Sequence, residues 1–148
     1  MSAEADIIKL YSGRILALAA DIPHTARLPA PDGTAKKRSP LCGSTVTVDV
    51  TLTDGRISAF GQDVKACALG KAAASVIGAA VVGLTPDEIA QGRDELAAML
   101  KSGGPVPSAP FDGLAVLEPA KDYKNRHASI MLTFEATLAA IDAAKAAA

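Results

Sequence analysis

The chain has 148 residues, 49% of them hydrophobic, and a formal net charge of −1 from 15 basic and 16 acidic side chains. That length holds one domain with a sizeable core; with aromatics at 3% and no tryptophan, the core is expected to be aliphatic and built from closely approaching helices. The charge balance leaves no electrostatic footprint for nucleic acid, two cysteines without a secretory leader argue for a reducing, cytoplasmic setting, and no apolar run is long enough to span a bilayer.

Residues 4–20 carry Ile7, Tyr11, Ile15 and Leu18 at helical spacing, interrupted by Gly13. Residues 21–41 hold Pro23, Pro29, Pro31, Gly33 and Pro40, which favour loop or extended backbone. The lysines within 33–39 suit an edge strand. Thr45 to Thr53 alternates strictly, with Val46, Val48, Val50 and Leu52 on one side and Thr45, Thr47, Asp49, Thr51 and Thr53 on the other. One face of the sheet is therefore expected to be covered and the other wet. Asp54-Gly55 is a two-residue hairpin turn, and Arg56 to Lys65 is the returning strand, with Gly61 as its expected bulge.

From Cys67 the pattern turns helical and continues to about Gly83 through Leu69, Ala73, Val76, Ile77 and Ala80. Thr85-Pro86-Asp87-Glu88 combines a threonine cap, a proline at the first helical position and a glutamate that closes a capping box. That helix should run to about Lys101. Residues 102–110 read as a flexible loop and 111–117 as a short helix. A last helix over 126–146 carries Ile130, Phe134, Leu138 and Ile141. The expected architecture is a single α+β domain over 1–148, with a small antiparallel sheet within 33–65 and helices packed on one face of it.

The chemistry-bearing residues are few. Cys67 stands at a helix start, where free N–H groups favour a thiolate, with Lys65 two residues away. The bland reading is a small buried hydrophobe in an alanine-rich helix. Cys42 precedes Gly43 at the base of the strand that the hairpin leads back to, so the two thiols are expected to meet. His127, at the start of the last helix, offers an imidazole for zinc or iron, or simply faces solvent. His24 reads as a loop residue. Together Cys42, Cys67 and His127 make most of a soft-metal site.

On these residues the chain resembles the U-type iron–sulfur cluster scaffold family, the domain of NifU, IscU and SufU. The family's first cysteine lies in Pro-x-Cys-Gly-Asp, and Pro40-Leu41-Cys42-Gly43-Ser44 stands here. Its second follows an Asp-Gly hairpin and opens a helix of small residues, as Cys67-Ala68-Leu69-Gly70 does. The resemblance implies a three-stranded sheet, and the long stretch before the last helix is similar to the SufU branch. Two departures stand out. Ser44 replaces an aspartate that is a ligand in the family, and the third cysteine is missing. Its place falls on Ser129 when the helix is aligned through Arg126, Leu132 and Ala136. It falls on Ala128 when His127-Ala128-Ser129-Ile130 is matched to the family's His-Cys-Ser-Ile.

The resemblance implies a scaffold that binds an iron–sulfur cluster or iron through Cys42 and Cys67, with His127 as a further ligand, Ser44 and Ser129 as weak contributors, and zinc as an alternative occupant. The loss of a carboxylate and a thiolate predicts a labile site, even one that is empty on purification. A cysteine desulfurase is the implied partner, and a monomer or weak dimer the expected state. Three other readings stand beside this one: a sulfur acceptor with Cys67 or Cys42 as nucleophile, a metal-free interaction module on the same fold, and a Cys42–Cys67 redox pair.

Overall fold

The structure is a computed structural model that describes residues 12–41 and 43–147. Cys42 and the first part of the expected N-terminal helix, up to Tyr11, lie outside the described residues.

Helix α1 (Gly13–Ala20) starts at Ser12, whose Oγ accepts from the Ile15 amide at 3.4 Å. Strands β1 (Gly33–Arg38), β2 (Thr45–Thr53) and β3 (Arg56–Lys65) form an antiparallel sheet in the order β1-β2-β3. Asp54 and Gly55 both take positive φ, 53° and 76°, as a two-residue turn matched to strand twist requires. Helix α2 (Ala68–Ala80) follows, then α3 (Pro86–Ser102), a 3-10 segment (Asp112–Asp122) and α4 (Lys124–Ala147). The capping box of α3 is complete: Glu88 N–H donates to Thr85 Oγ1 at 3.2 Å, and Thr85 N–H to Glu88 Oε1 at 3.0 Å.

The helices cover one face of the sheet. Helix α4 lies against β1 and β2, α2 packs on α1 and α4, and α3 packs on α4. Val46, Val48 and Val50 meet this layer with 1% exposure or less. Because α4 has neighbours on several sides, it buries polar positions too, Ser129, Thr133 and Thr137 among them. These repeat every four residues and make one seam. Thr137 Oγ1 donates to the Thr133 carbonyl at 2.6 Å, and Thr133 Oγ1 to Gln62 Oε1 at 3.4 Å. Gln62 Nε2 in turn donates to the Ala74 carbonyl at 3.0 Å. Gly33 brings β1 onto α4, since a Cβ there would meet the Ala140 carbonyl and lie 2.6 Å from Ala144 N.

Three local expectations are corrected. The opposite sheet face is not simply wet. Asp49, at its centre, is fully buried beneath the 22–32 segment and accepts from Arg27 Nε at 2.6 Å, Thr34 Oγ1 at 2.6 Å and Leu28 N–H at 3.1 Å. Arg27 holds its carboxyl below the usual range against the opposing effect of burial, helped by Thr34 and the Leu28 amide. The bulge falls at Ser58, between the Thr51–Ala59 and Leu52–Ile57 pairs, and Gly61 instead lets the Ala26 carbonyl approach to 2.5 Å from where a Cβ would be. The 102–110 loop is tied down: Ser108 donates to Glu95 Oε1 through its amide at 3.0 Å and its hydroxyl at 2.8 Å.

Candidate functional site

Three elements converge at the base of the sheet. Cys67 caps α2 with extended backbone, φ −68° and ψ 170°, so its side chain stands over the first turn of that helix. Ser44 leads into β2, and Ser129 lies in the first turns of α4. Their side chains touch: Cys67 Sγ is 3.6 Å from Ser129 Oγ, and Ser129 Oγ donates to Ser44 Oγ at 3.2 Å. Both serines are buried, at 1% and 6% exposure, while Cys67 is half-buried. The thiol is therefore the part of the cluster that an outside molecule can reach.

Gly70 makes this contact geometrically permissible. A Cβ there would lie 2.7 Å from Ser129 Oγ and 3.1 Å from the Ser129 carbonyl. Only a glycine lets the first turn of α2 close on α4. The backbone at the base of β1 and β2 is also paired: Ser39 N–H donates to the Ser44 carbonyl at 2.8 Å, and Gly43 N–H to the Ser39 carbonyl at 3.0 Å. Cys42 itself lies outside the described residues.

Cys67 ionises more readily than an ordinary thiol. Burial pushes its pKa up, but the Gly70 amide, the Ser129 hydroxyl, the Leu69 amide and the Arg126 side chain together outweigh that effect. The two amides are unpaired donors of a helix start. Lys65, the cation expected beside the thiol, is exposed on β3 and is not among these causes. Arg126 supplies the positive charge instead. It comes from the far end of the chain, and helical phase is the one sequence signal that could have found it: Arg126 and Ser129 are three apart and share a face.

The two alignments of the missing thiol place it on different surfaces. Ser129 touches Cys67. Ala128, with His127, lines a neighbouring cavity between β1, α3 and α4. His127 is 6% exposed, and its Nε2–H donates to the Ala120 carbonyl at 2.9 Å. It stands about 200° round the helix from Ser129. His24 takes a left-handed φ of 56° and packs edge-on against Phe60.

The donors fit a metal or cluster only in part. Among the described residues, no group of three or more His, Cys, Asp or Glu side chains could hold a metal ion. One readily ionised thiol and two neutral hydroxyls make a weak ligand set for iron or zinc. Among the described residues, no helix is long and apolar enough to cross a membrane.

No family model matches the chain, and no curated protein matches it. Solved structures do. A nitrogen-fixing NifU-like protein (N-terminal) from Brucella abortus is 43% identical over 97% of this chain and 99% of its own, with a TM-score of 0.92. A protein from Fervidobacterium islandicum AW-1, described as an iron–sulfur cluster assembly scaffold for the SUF system, is 16% identical over 89% of this chain and 96% of its own, with a TM-score of 0.79. The second likeness shows the shared fold.

Proposed function

The chain belongs to the family of NifU-like N-terminal domains, and from that premise we propose that it is a carrier in iron–sulfur cluster assembly whose cargo is held by Cys67 and Cys42. The observation that carries this reading is the meeting of Ser44, Cys67 and Ser129. Ser44 stands where the resemblance expects an aspartate, Ser129 at one of the two positions it allows for the third cysteine, and both reach Cys67 through one hydrogen-bonded chain of 3.6 and 3.2 Å, which favours Ser129 over Ala128 for that place. Among the described residues the pocket thus joins one thiol to two neutral hydroxyls, and Cys42 is the second thiol of this reading.

The residues divide the work. Cys67, whose ionisation the α2 amides, Ser129 and Arg126 favour, is the anchoring thiolate. Cys42 supplies the second thiolate, and its sequence neighbours Ser39, Gly43 and Ser44 are joined by backbone hydrogen bonds. Ser129 and Ser44 orient hydrogen bonds toward sulfur and add no negative charge. A cluster bound here would bring iron and sulfide to a recipient protein, and iron alone would bring the metal; zinc would occupy the same thiols. Two thiolates hold either loosely, which suits transfer rather than storage.

A second reading, sulfur acceptance, is favoured by the readily ionised, half-buried thiol. The Cys67 thiolate would attack the outer sulfur of a persulfide on a cysteine desulfurase. The new S–S bond forms on Cys67, the desulfurase cysteine leaves as a thiolate, and no electrons are gained or lost overall.

The test restores the absent donors. Protein reconstituted anaerobically with ferrous iron and sulfide is challenged with a mild chelator while visible absorption is followed. The wild type should lose its colour within minutes. Ser44→Asp with Ser129→Cys should slow that loss at least tenfold, and Ser44→Asp with Ala128→Cys should not. Stoichiometric retention by the wild type, or rescue through Ala128, would overturn the assignment.

A further inference from the structure

Beside the thiol pocket, on the next face of α4, a groove of about 750 Å³ runs between β1, α3 and α4. Its floor is mostly aliphatic, with Ala97, Ala128, Met131 and Leu132 beside the largely buried His127. Its rim carries Lys37 and Arg38 from β1, Arg93 and Lys101 from α3 and Lys124 from α4, against the single carboxylate of Glu135. The chain as a whole has a charge of −1, so this concentration of cations is local. Arg93 is paired with Asp94 at 3.0 Å, but Lys37, Arg38, Lys101 and Lys124 have no carboxylate partner among the described residues.

We infer that this groove docks an acidic segment of a partner polypeptide that carries an aliphatic side chain. Charge complementarity selects the acidic residues, and the floor selects the apolar one. The spread of the cations selects a chain over a small anion. Arg93 and Lys101 are eight residues apart on one helix face, about 12 Å along its axis. One phosphate or carboxylate cannot reach both, whereas about four extended residues span that length. Nucleic acid is disfavoured because the lining offers no Phe, Tyr or Trp for a base to stack on, and its one ring, His127, is 6% exposed and held by the Ala120 carbonyl.

The groove also has a position relative to the thiol. Ala128 lines it, and the next residue, Ser129, touches Cys67. A segment seated there holds its parent protein over the one half-buried sulfur of the described residues. The docking stands on the groove alone and does not depend on what Cys67 carries.

Methionine methyl NMR tests it on the full chain. Met131 lies in the groove floor at 7% exposure, and Met99, fully buried elsewhere, is the internal reference. The probe is an acetylated, amidated Glu-Asp-Leu-Glu-Asp peptide at low salt. Controls are the same peptide with serine for leucine, and pyrophosphate. A saturable shift of the Met131 methyl is expected, with the serine peptide at least fivefold weaker. The exposed-site variant Lys101→Glu with Lys124→Glu should weaken binding at least tenfold and leave the Met99 signal in place. No Met131 shift up to millimolar peptide would overturn the inference. So would equal binding of the serine peptide, which marks a general polyanion surface, or of pyrophosphate, which marks a small-anion site. Charge reversal without effect would overturn it as well.

Discussion

Ser129→Ala isolates the chemistry of the thiol pocket. With Cys67 neutral, its S–H donates to Ser129 Oγ, and the serine proton points to Ser44 Oγ, 3.2 Å away. When Cys67 ionises, Ser129 must turn its proton onto sulfur, so the hydroxyl stabilises the thiolate more than the thiol. A hydrogen bond to a charged group is worth about 1.5–3 kcal/mol. The contact is long, 3.6 Å, and the sulfur half-buried, so the lower end applies. About 1.4 kcal/mol is a tenfold smaller thiolate fraction at a pH below the thiol's ionisation. The remaining thiolate is intrinsically more nucleophilic, with a Brønsted slope of about 0.4–0.5, which returns roughly threefold. Alkylation of Cys67 by iodoacetamide should therefore be about threefold slower in Ser129→Ala, measured on the acid limb of each protein's pH–rate profile in a Cys42→Ser background that leaves one thiol. In denaturant the two proteins should react alike. A variant that alkylates as fast as its parent, or faster, would refute the hydroxyl chain as the cause of the thiol's ready ionisation.

Asp49→Asn should cost about 3 kcal/mol at neutral pH by removing the charge of a fully buried, hydrogen-bonded carboxylate, or a melting point lower by about 6–12 °C for a chain of this size. The folded pKa of Asp49 lies below its unfolded value, so this stabilisation is present above the unfolded pKa and is lost as pH falls through the folded one. Urea unfolding should show the gap between variant and wild type closing in acid, and a gap independent of pH would contradict the account. Gly33→Ala should destabilise by about 3 kcal/mol because its Cβ meets the α4 backbone, whereas Gly13→Ala, with nothing within 4 Å among the described residues, should stabilise by about 0.5–1 kcal/mol; the same ranking by thermal melts checks both. His127→Ala should lower stability by about 1–3 kcal/mol through the orphaned Ala120 carbonyl and leave cluster retention unchanged, and faster loss of the cluster would return His127 to the ligand set.

What could be read from the chain was local. The alternation from Val46 to Leu52, the Asp54-Gly55 turn and the Thr85-Pro86 cap each act within a few residues, and each stands in the structure. Asp49 looked outward because its neighbours on that face are threonines; the segment that covers it, 22–32, has no periodicity to announce that it lies on the sheet. The bulge went to Ser58 because Gly61 serves a different contact, with the Ala26 carbonyl. The choice between Ala128 and Ser129 depends on the rotation of α4 against α2, a tertiary quantity set by Gly70. Arg126 at Cys67 depends on the same rotation. Local rules placed the elements, and the phase of one helix decided which side chains share the site.

The most direct test of a cluster-carrier role is Mössbauer spectroscopy on protein enriched in iron-57 and purified without oxygen, comparing wild type with Cys67→Ala and Cys42→Ala. Cluster-type iron should be bound below full stoichiometry in the wild type and lost in both variants. Wild-type protein with no thiolate-bound iron after anaerobic reconstitution, or iron that persists in both variants, would contradict that role.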